Sequence, residues 1–337
     1  MENNQIHKIC ICGGGSLGIV CAGVFLQKGL KVDILTGHPN NWIKNICVTD
    51  NNGKIFKGSL NNISNDPQQV IPNSDLVFLT VPGFIIEKTL NEIKPFLDDD
   101  TIVGSVVSST GFFFAAHRIL NANQCIFGFQ RVPFIARQRE YGKSGDILGY
   151  KPMLNICIEN SKNPNLINNL EWLFNTPIQL LNNFYEASLT NSNPILHTGR
   201  LYSLWHNYKG ESFPAQSFFY SDWTDEASEL LIKMDDEFQL LLNALGLQQG
   251  AIPTLLEYYE SNDASALTQK IKSIKAFQSI KSPMIKIKSG WVPDFNSRYF
   301  TEDFPFGLRF IKGLAEQHHI DTPNINMVYN WGISQLK

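Results

Sequence analysis

The sequence predicts an α/β fold in which an N-terminal doubly wound parallel sheet is followed by an all-α domain. Short apolar segments alternate with amphipathic helical patterns up to about residue 182, which is the rhythm of βαβ units. One of these segments, DLVFLTV (75–81), is apolar at nearly every position, as expected for a strand covered on both faces. Beyond residue 182 the strand patterns fade and helical patterns continue. We therefore predict two domains, 1–182 and 183–337.

The elements of the first domain follow from apolar runs and from helical periodicity. The segment after HKICIC has its apolar residues on one helical face and ends before a second apolar run, KVDILT. The same alternation recurs to residue 130, and MLNICIE adds an edge strand. The predicted strands are 7–12, 31–36, 75–81, 101–107, 124–130 and 153–159, and the predicted helices are 15–28, 86–96, 111–120 and 165–174.

The second domain is predicted to be helical throughout. Its last helix should begin at Thr322-Pro323, because proline is tolerated at the first helical position, where the N–H group lacks a partner. The other predicted helices are 184–208, 223–245, 252–260, 263–281 and 305–318.

Composition excludes several classes of protein. A net charge of −3 gives no electrostatic reason to expect a nucleic-acid partner. No apolar run is long enough to cross a bilayer, and the N-terminus lacks a signal-peptide pattern, so we expect no membrane association. The six cysteines have neither disulfide-framework nor metal-ligand spacing. We therefore predict a cytoplasmic protein without a metal site.

A glycine-rich loop, ICGGGSLG, carries the first functional signal. Gly13, Gly15 and Gly18 form G-x-G-x-x-G after a predicted strand and at the start of a helix, which is the context of a Rossmann dinucleotide-binding site. The first glycine permits the turn, the second lets a pyrophosphate approach the backbone, and the third lets helix and strand pack closely. We expect Ser16 and Leu17, at the helix N-terminus, to contact the cofactor as well.

The choice between NAD and NADP depends on the end of the second strand. NAD-specific sites usually carry an acidic residue there, and this sequence has Thr36-Gly37-His38 instead. Asp33 lies inside the strand, where a local partner is expected. Thr36 and His38 could bind a 2′-phosphate, so the sequence favours NADP over NAD. Val81 and Pro82, at the end of the predicted 75–81 strand, either contact the cofactor or simply reverse the chain.

Two polar motifs stand out in the helical half. His197 ends the motif N-P-x-x-H, and Asp303 lies within RYFTEDFPFGL (298–308). Taken separately, each has a structural explanation. The histidine would be an ordinary buried one, and the aspartate would lie in the first turn of a helix capped by Thr301.

Taken together, these motifs resemble the octopine/nopaline (opine) dehydrogenase family over most of the chain. The resemblance implies reductive condensation of an amino acid with a 2-oxo acid by NAD(P)H. It implies that His197 and Asp303 are the catalytic pair, that Arg298 binds a substrate carboxylate, and that Gln130, in FQRVP, touches substrate. The site would then lie between the domains, and a homodimer is compatible with the sequence.

The chemistry of these residues agrees with the resemblance. Histidine exchanges a proton near neutral pH, a carboxylate fixes its tautomer, and arginine binds a carboxylate with two parallel hydrogen bonds. Two alternatives remain open. One is a ketopantoate reductase-like or hydroxyacid dehydrogenase that needs no amine, and the other is a sensor that binds NADPH without turnover.

Overall fold

A computed structural model describes residues 6–336, apart from the side chain of Thr110, and its main feature is a sheet that contains strand β1, Lys8–Cys12. The chain divides into an N-terminal unit that ends at Ser188 and a C-terminal unit, Leu189–Lys337. The sequence placed the boundary between residues 182 and 183. The other elements of the N-terminal unit are α1 (Ser16–Gln27), β2 (Lys31–Leu35), β3 (Asn45–Asp50), β4 (Ile55–Ser59), β5 (Asn62–Ser64), β6 (Leu76–Leu79), α2 (Gly83–Ile93), β7 (Ile102–Val106), α3 (Phe112–Ile119), β8 (Ile126–Phe129), β9 (Phe134–Glu140), β10 (Ser144–Tyr150), β11 (Leu154–Glu159), α4 (Leu166–Phe174), β12 (Ile178–Leu180) and α5 (Phe184–Ser188).

The main sheet confirms the predicted doubly wound fold. Within residues 6–336 it has eight strands in the order β12-β11-β8-β7-β6-β1-β2-β5. Strand β1 pairs in parallel with both β2 and β6, so that Cys12 lies opposite Leu35 on one side and Leu79 on the other. Neighbouring pairs are parallel except β8 with β11. The predicted edge strand 153–159 is β11, and it is not the edge, because β12 pairs with its outer side.

A second sheet was not predicted. Strands β4, β3, β10 and β9 pair in that order, and β3 joins β10 in parallel with Cys47 opposite Ser144. Strand β3 alternates exposed or half-buried residues with buried ones. Its buried residue Val48 packs so closely on α1 that a Cβ at Gly23 would lie 2.6 Å from its side chain. The sheet thus covers one face of α1.

Aromatic side chains fill the core between α1 and the main sheet. Phe174 lies at the centre, with ring centroids 5.5 Å from Phe25, 5.7 Å from Phe78 and 5.0 Å from Phe129. All four rings are completely buried, and burial of each stabilises the fold by roughly 1.5–3 kcal/mol. This packing fixes the position of α1, and with it the glycine loop from which α1 begins.

The C-terminal unit is mainly helical, as predicted. Its elements are α6 (Thr198–Trp205), α7 (Asp225–Ala244), α8 (Leu255–Tyr258), α9 (Ala264–Ser273), β13 (Met284–Ile287), β14 (Gly290–Pro293), α10 (Arg298–Thr301), α11 (Arg309–Gln317) and α12 (Pro323–Gln335), with π-helical segments at Ser192–His197 and Phe304–Leu308. The hairpin of β13 and β14 was not predicted, so the unit is not purely α-helical. The single helix predicted at 184–208 is divided into α5, a π-helical segment and α6.

Helix α12 begins at Thr322-Pro323, as predicted. The carboxylate of Glu237, on α7, accepts hydrogen bonds from the backbone N–H groups of Asn324 (2.9 Å) and Ile325 (2.9 Å). It caps the otherwise unpaired N–H groups of α12 and complements the positive end of the helix dipole. A helix long and apolar enough to span a membrane is not found among residues 6–336.

Candidate active site

The glycine loop has the geometry that its sequence predicted. Gly13 has φ +120°, a conformation that other residues rarely adopt. A Cβ at Gly18 would lie 2.0 Å from the carbonyl oxygen of Gly13, so only glycine allows this turn to close on α1. A Cβ at Gly15, by contrast, would meet nothing within 4 Å. Since Gly15 directly precedes α1, the open space lies where a phosphate would meet the helix N-terminus.

Thr80 and Tyr141 lie against the glycine loop, and neither was singled out from the sequence. The hydroxyl of Thr80 donates to the carbonyl oxygens of Cys12 and Gly13, at 3.2 Å each. On the other side, a Cβ at Gly14 would lie 2.7 Å from Thr36 Oγ1 and 2.8 Å from the hydroxyl of Tyr141. The loop therefore passes through a narrow space whose walls are polar, which explains a third glycine in the GGG run.

A cleft of about 380 Å³ opens beside this loop. Gly13, Thr36 and Val81 line it at the carboxyl ends of β1, β2 and β6. In doubly wound sheets, ligands bind where the strand order reverses, and β1 and β6 flank that point here. A cradle with open space at Gly15 and a cleft along the strand ends fits a dinucleotide.

The other residues predicted to bind the cofactor lie around this cleft or near it. Pro82 is the residue before α2. The hydroxyl of Ser16 accepts a hydrogen bond from the backbone N–H of Gln138 at 3.1 Å, which ties α1 to β9. Leu17 is half-buried and packs against the aromatic core. These contacts are structural, and a direct contact of Ser16, Leu17 or Pro82 with the cofactor stays a prediction.

The end of β2 carries no carboxylate. Asp33 is buried inside the strand, where Lys8 Nζ lies 3.1 Å from its carboxylate and Asn61 Nδ2 donates to it at 2.7 Å. It is thus the local partner that its position predicted. Thr36 is buried, and its hydroxyl lies 3.1 Å from that of Tyr141. His38 is exposed.

In the C-terminal unit, the structure brings His197 and Asp303 together. The distance from Nδ1 of His197 to Oδ2 of Asp303 is 2.8 Å, and the side chains are 15% and 16% exposed. His197 is the last residue of one π-helical segment, and Asp303 directly precedes the other. The segments approach so closely that a Cβ at Gly307 would lie 3.0 Å from Cγ of Pro194. The proline of N-P-x-x-H and the glycine of the second motif therefore allow this close approach.

The Nε2 atom of His197 has a partner that sequence reasoning missed. The hydroxyl of Tyr220 lies 3.2 Å from it. The imidazole also contacts the rings of Phe219 and Tyr299, at centroid distances of 5.6 Å and 4.9 Å. Nothing in the sequence around Tyr220 resembles a catalytic motif. The only available signal was its place in an aromatic run, SFFYSDW.

A second missed residue, Arg200, is fully buried one turn after His197. Its Nε atom donates to the carbonyl oxygen of Phe219 at 2.8 Å, and its NH2 group donates to that of Asp222 at 2.7 Å. Burial lowers the pKa of Arg200 to about 10, partly offset by the charge of Asp222, so the guanidinium stays charged at neutral pH. Arg200 thereby connects the helix of His197 to the loop of Tyr220.

Arg298 is exposed, unlike His197 and Asp303. Its side chain is 84% exposed, and its guanidinium lies 3.8 Å from the carboxylate of Glu302, one helical turn later. Because the arginine side chain is exposed and the distance is long, this ion pair contributes little to stability. The predicted cap at Thr301 is wrong, because Thr301 ends α10 and its hydroxyl donates to the carbonyl oxygen of Ser297. Asp303 uses its carboxylate for His197 and makes no cap.

Gln130 is held within the N-terminal unit. Its Nε2 atom donates to the carbonyl oxygen of Glu186 at 2.9 Å, and its Oε1 atom accepts from Asn155 Nδ2 at 3.1 Å. These bonds fix the carboxamide and tie β8 to α5 and β11. A substrate contact by Gln130 stays a prediction. No group of three or more His, Cys, Asp or Glu side chains in the described part of the chain is arranged to hold a metal ion.

Comparisons with known proteins match both units. Residues 180–335 match the model of the α-helical domain of NAD/NADP octopine/nopaline dehydrogenases. Residues 8–121 match the model of the N-terminus of NAD-dependent glycerol-3-phosphate dehydrogenases. The fold and these matches define an NAD(P)-dependent oxidoreductase.

Similarity to individual proteins extends over nearly the whole chain. The octopine dehydrogenase of Mizuhopecten yessoensis is 26% identical over 98% of this chain and 90% of its own length. The tauropine dehydrogenase of Arabella iricolor is 27% identical over 96% and 90%. A solved structure of octopine dehydrogenase with NADH and L-arginine superimposes with a TM-score of 0.89 at 24% identity, over 98% of this chain and 89% of that one. The helical unit thus matches the opine dehydrogenase family model, and nearly the whole chain is similar to opine dehydrogenases, so the comparisons support this family.

Proposed function

We propose that this protein condenses an amino acid with a 2-oxo acid and reduces the resulting C=N bond, with His197 as the proton donor and acceptor. The observation that supports this most directly is the 2.8 Å contact between His197 and Asp303 within the two motifs that resemble the family's catalytic ones. In the overall reaction the amine nitrogen bonds to the carbonyl carbon of the oxo acid, and the carbonyl oxygen leaves as water. The nicotinamide, when bound, supplies the hydride that is added to that carbon.

His197 performs the proton transfers in this proposal. The carbonyl oxygen can leave as water only after it has gained two protons, and a protonated imidazole can supply one of them from Nε2. The ring regains a proton when the condensing amine loses one. A histidine is suited to both steps because its ordinary pKa lies near neutral pH.

Asp303 orients the imidazole. Its carboxylate accepts the Nδ1–H bond, which leaves Nε2 as the nitrogen that exchanges protons with substrate. The same carboxylate stabilises the positive charge of the ring when Nε2 is protonated. At 16% exposure the carboxylate is shielded from much of the solvent, which strengthens this interaction.

Arg298 would bind the carboxylate of a substrate. The guanidinium is exposed and only weakly held by Glu302, so a carboxylate with two parallel hydrogen bonds could displace that contact. Such a bond would fix the orientation of the 2-oxo acid before the amine attacks. Gln130 is proposed as an additional substrate contact, for which it would have to exchange its bond with Asn155.

We further propose that NADPH is preferred to NADH. At the end of β2, Thr36 and His38 replace the acidic residue that would repel a 2′-phosphate. The one nearby carboxylate in that strand, Asp33, is buried and paired with Lys8. Steady-state kinetics measures this preference as kcat/KM for NADPH divided by kcat/KM for NADH. A ratio below one would contradict the proposal.

The proposed reaction can be tested by a matrix of substrates. Purified enzyme is given pyruvate or 2-oxoglutarate, each with and without each common amino acid, and NADPH or NADH consumption is followed by absorbance. We expect consumption only when an oxo acid and an amino acid are both present. The product should have the mass of the two substrates minus water plus two hydrogens.

The outcome separates the proposal from its alternatives. Reduction of the oxo acid at the same rate without any amine would identify a ketone reductase and refute the condensation. Tight nucleotide binding without turnover over the whole matrix would favour a sensor. We also expect the enzyme to work in the cytoplasm, where buried free thiols such as Cys10, Cys12 and Cys21 would stay reduced.

A further inference from the structure

Tyr220 is a buried side chain whose hydroxyl is directed at the reactive nitrogen of His197. The side chain is 6% exposed, and its oxygen lies 3.2 Å from Nε2. In residues 6–336 the hydroxyl has no second hydrogen-bond partner. A buried hydroxyl without a partner is costly, so this bond fixes the orientation of the phenol.

The direction of the bond follows from the other side of the ring. Because Asp303 accepts a hydrogen bond, Nδ1 of His197 carries the proton in the neutral imidazole, and Nε2 has a free lone pair. Tyr220 must therefore donate its O–H to Nε2. Burial and the nearby Tyr299, Tyr259 and Asp303 raise the pKa of Tyr220 well above its ordinary value, which keeps this proton in place.

Packing holds the phenol in a fixed position. Its ring stacks on Phe277 at a centroid distance of 4.2 Å and lies parallel to Trp223 at 6.0 Å. The backbone on both sides of Tyr220 is fixed by Arg200, which donates to the carbonyl oxygens of Phe219 and Asp222. Since Arg200 and His197 share one helical stretch, the phenol and the imidazole are positioned by the same element.

We propose that Tyr220 is a positioning residue that donates its O–H to Nε2 of the neutral His197 and so keeps the imidazole in the tautomer and orientation that substrate requires. The inference rests on the proposed function of His197. In the absence of substrate, the hydroxyl of Tyr220 is hydrogen-bonded to Nε2. When substrate binds, its reacting oxygen replaces the hydroxyl as the partner of Nε2. Tyr220 thus acts through His197 and takes no proton itself.

The test uses the intact enzyme with ¹⁵N-labelled histidine. The signals of His197 are assigned by their loss in His197→Ala, and the Nε2 shift is then compared between wild type and Tyr220→Phe at a pH where the ring is neutral. Loss of the donor should move this shift towards that of an unbonded, pyridine-type nitrogen. In turnover assays we expect kcat to fall about tenfold, as for the loss of one hydrogen bond, and KM to change less than twofold.

Tyr299→Phe is the matched control. Its ring also contacts that of His197, but its hydroxyl makes no hydrogen bond to the imidazole in the described residues. We expect this variant to leave the Nε2 shift near wild type. The Nε2 shift of the wild-type protein alone already tests the bond from Tyr220, because an unbonded, pyridine-type value would refute it. The inference therefore stays falsifiable even if Tyr220→Phe folds poorly.

Each outcome has a defined meaning. An unchanged Nε2 shift in Tyr220→Phe would refute the bond, and a changed shift with unchanged kcat would refute the positioning role. Turnover retained in His197→Ala would instead overturn the proposed function. The nitrogen shift is measured without substrate, so it separates these two failures.

Discussion

Nδ1 of His197 lies 2.8 Å from Oδ2 of Asp303, although 106 positions separate the two residues. Each comes from a motif with a π-helical segment, and such segments are often found at functional sites. The contact depends on the close approach of Pro194 to Gly307, so the small and rigid residues of both motifs are part of the geometry.

Asp303→Asn should remove the charge while keeping the shape. The amide can present its NH₂ group to Nδ1, which would favour the wrong tautomer of His197. We therefore expect kcat to fall by roughly 10²–10⁴-fold. The measurement is steady-state turnover, with nucleotide affinity by fluorescence as the control. A variant with kcat within threefold of wild type would show that the carboxylate does not assist the histidine.

Arg298→Ala should affect substrate binding. Loss of a charge-assisted bond to a carboxylate costs about 1.5–3 kcal/mol, so KM for the 2-oxo acid should rise roughly 10–100-fold. Arg298→Lys should recover only part of this, because an ammonium cannot form the two parallel bonds. Arg139→Lys is the control, since Arg139 pairs with Asp146 in the N-terminal unit. An unchanged KM in Arg298→Ala would remove this residue from the substrate site.

Gly15→Ala should weaken nucleotide binding, whereas Gly18→Ala should destabilise the fold. A Cβ at Gly15 enters open space, so the fold should keep its melting temperature while the nucleotide Kd rises at least about tenfold. A Cβ at Gly18 would lie 2.0 Å from a backbone oxygen, so this variant should be destabilised by roughly 1–3 kcal/mol or more. Thermal melts with and without nucleotide measure both. Wild-type nucleotide affinity in Gly15→Ala would show that no phosphate lies at the loop.

Arg200→Met should destabilise the protein by about 3 kcal/mol. The substitution leaves the buried carbonyl oxygen of Phe219 and the part-buried one of Asp222 without their donor, and an unsatisfied buried group costs about 1–3 kcal/mol. Urea unfolding measures the loss. Arg309→Met, at an exposed position on α11, is the control and should change stability by less than about 0.5 kcal/mol. Equal stability of the two variants would mean that Arg200 does not hold the Tyr220 loop.

The sequence was informative where local pattern determines structure. Strand β6 is apolar along its length, and β1 and β7 are mostly apolar, because both faces of the sheet are covered. The glycine spacing reflects steric limits that the structure reproduces. The second sheet was missed because strands such as FIARQRE have an exposed, charged face. Its parallel pair of β3 and β10 also joins segments that are distant in the sequence.

The site was only partly predictable for a related reason. His197 and Asp303 lie in recognisable motifs, whereas Tyr220 reaches the imidazole through a loop whose path depends on Arg200. Nothing local in SFFYSDW indicates that path. The division of the predicted 184–208 helix likewise depends on tertiary packing, since the π-helical segment ends at the residue that must meet Asp303.

The most direct test of the proposed chemistry is turnover of His197→Ala with an oxo acid and an amino acid that wild type condenses. We expect at least a 10²-fold loss of kcat, because the proton donor is gone, with nucleotide Kd within about twofold of wild type. Turnover near the wild-type rate, with the same secondary amine as product, would show that His197 is not the group that transfers the proton.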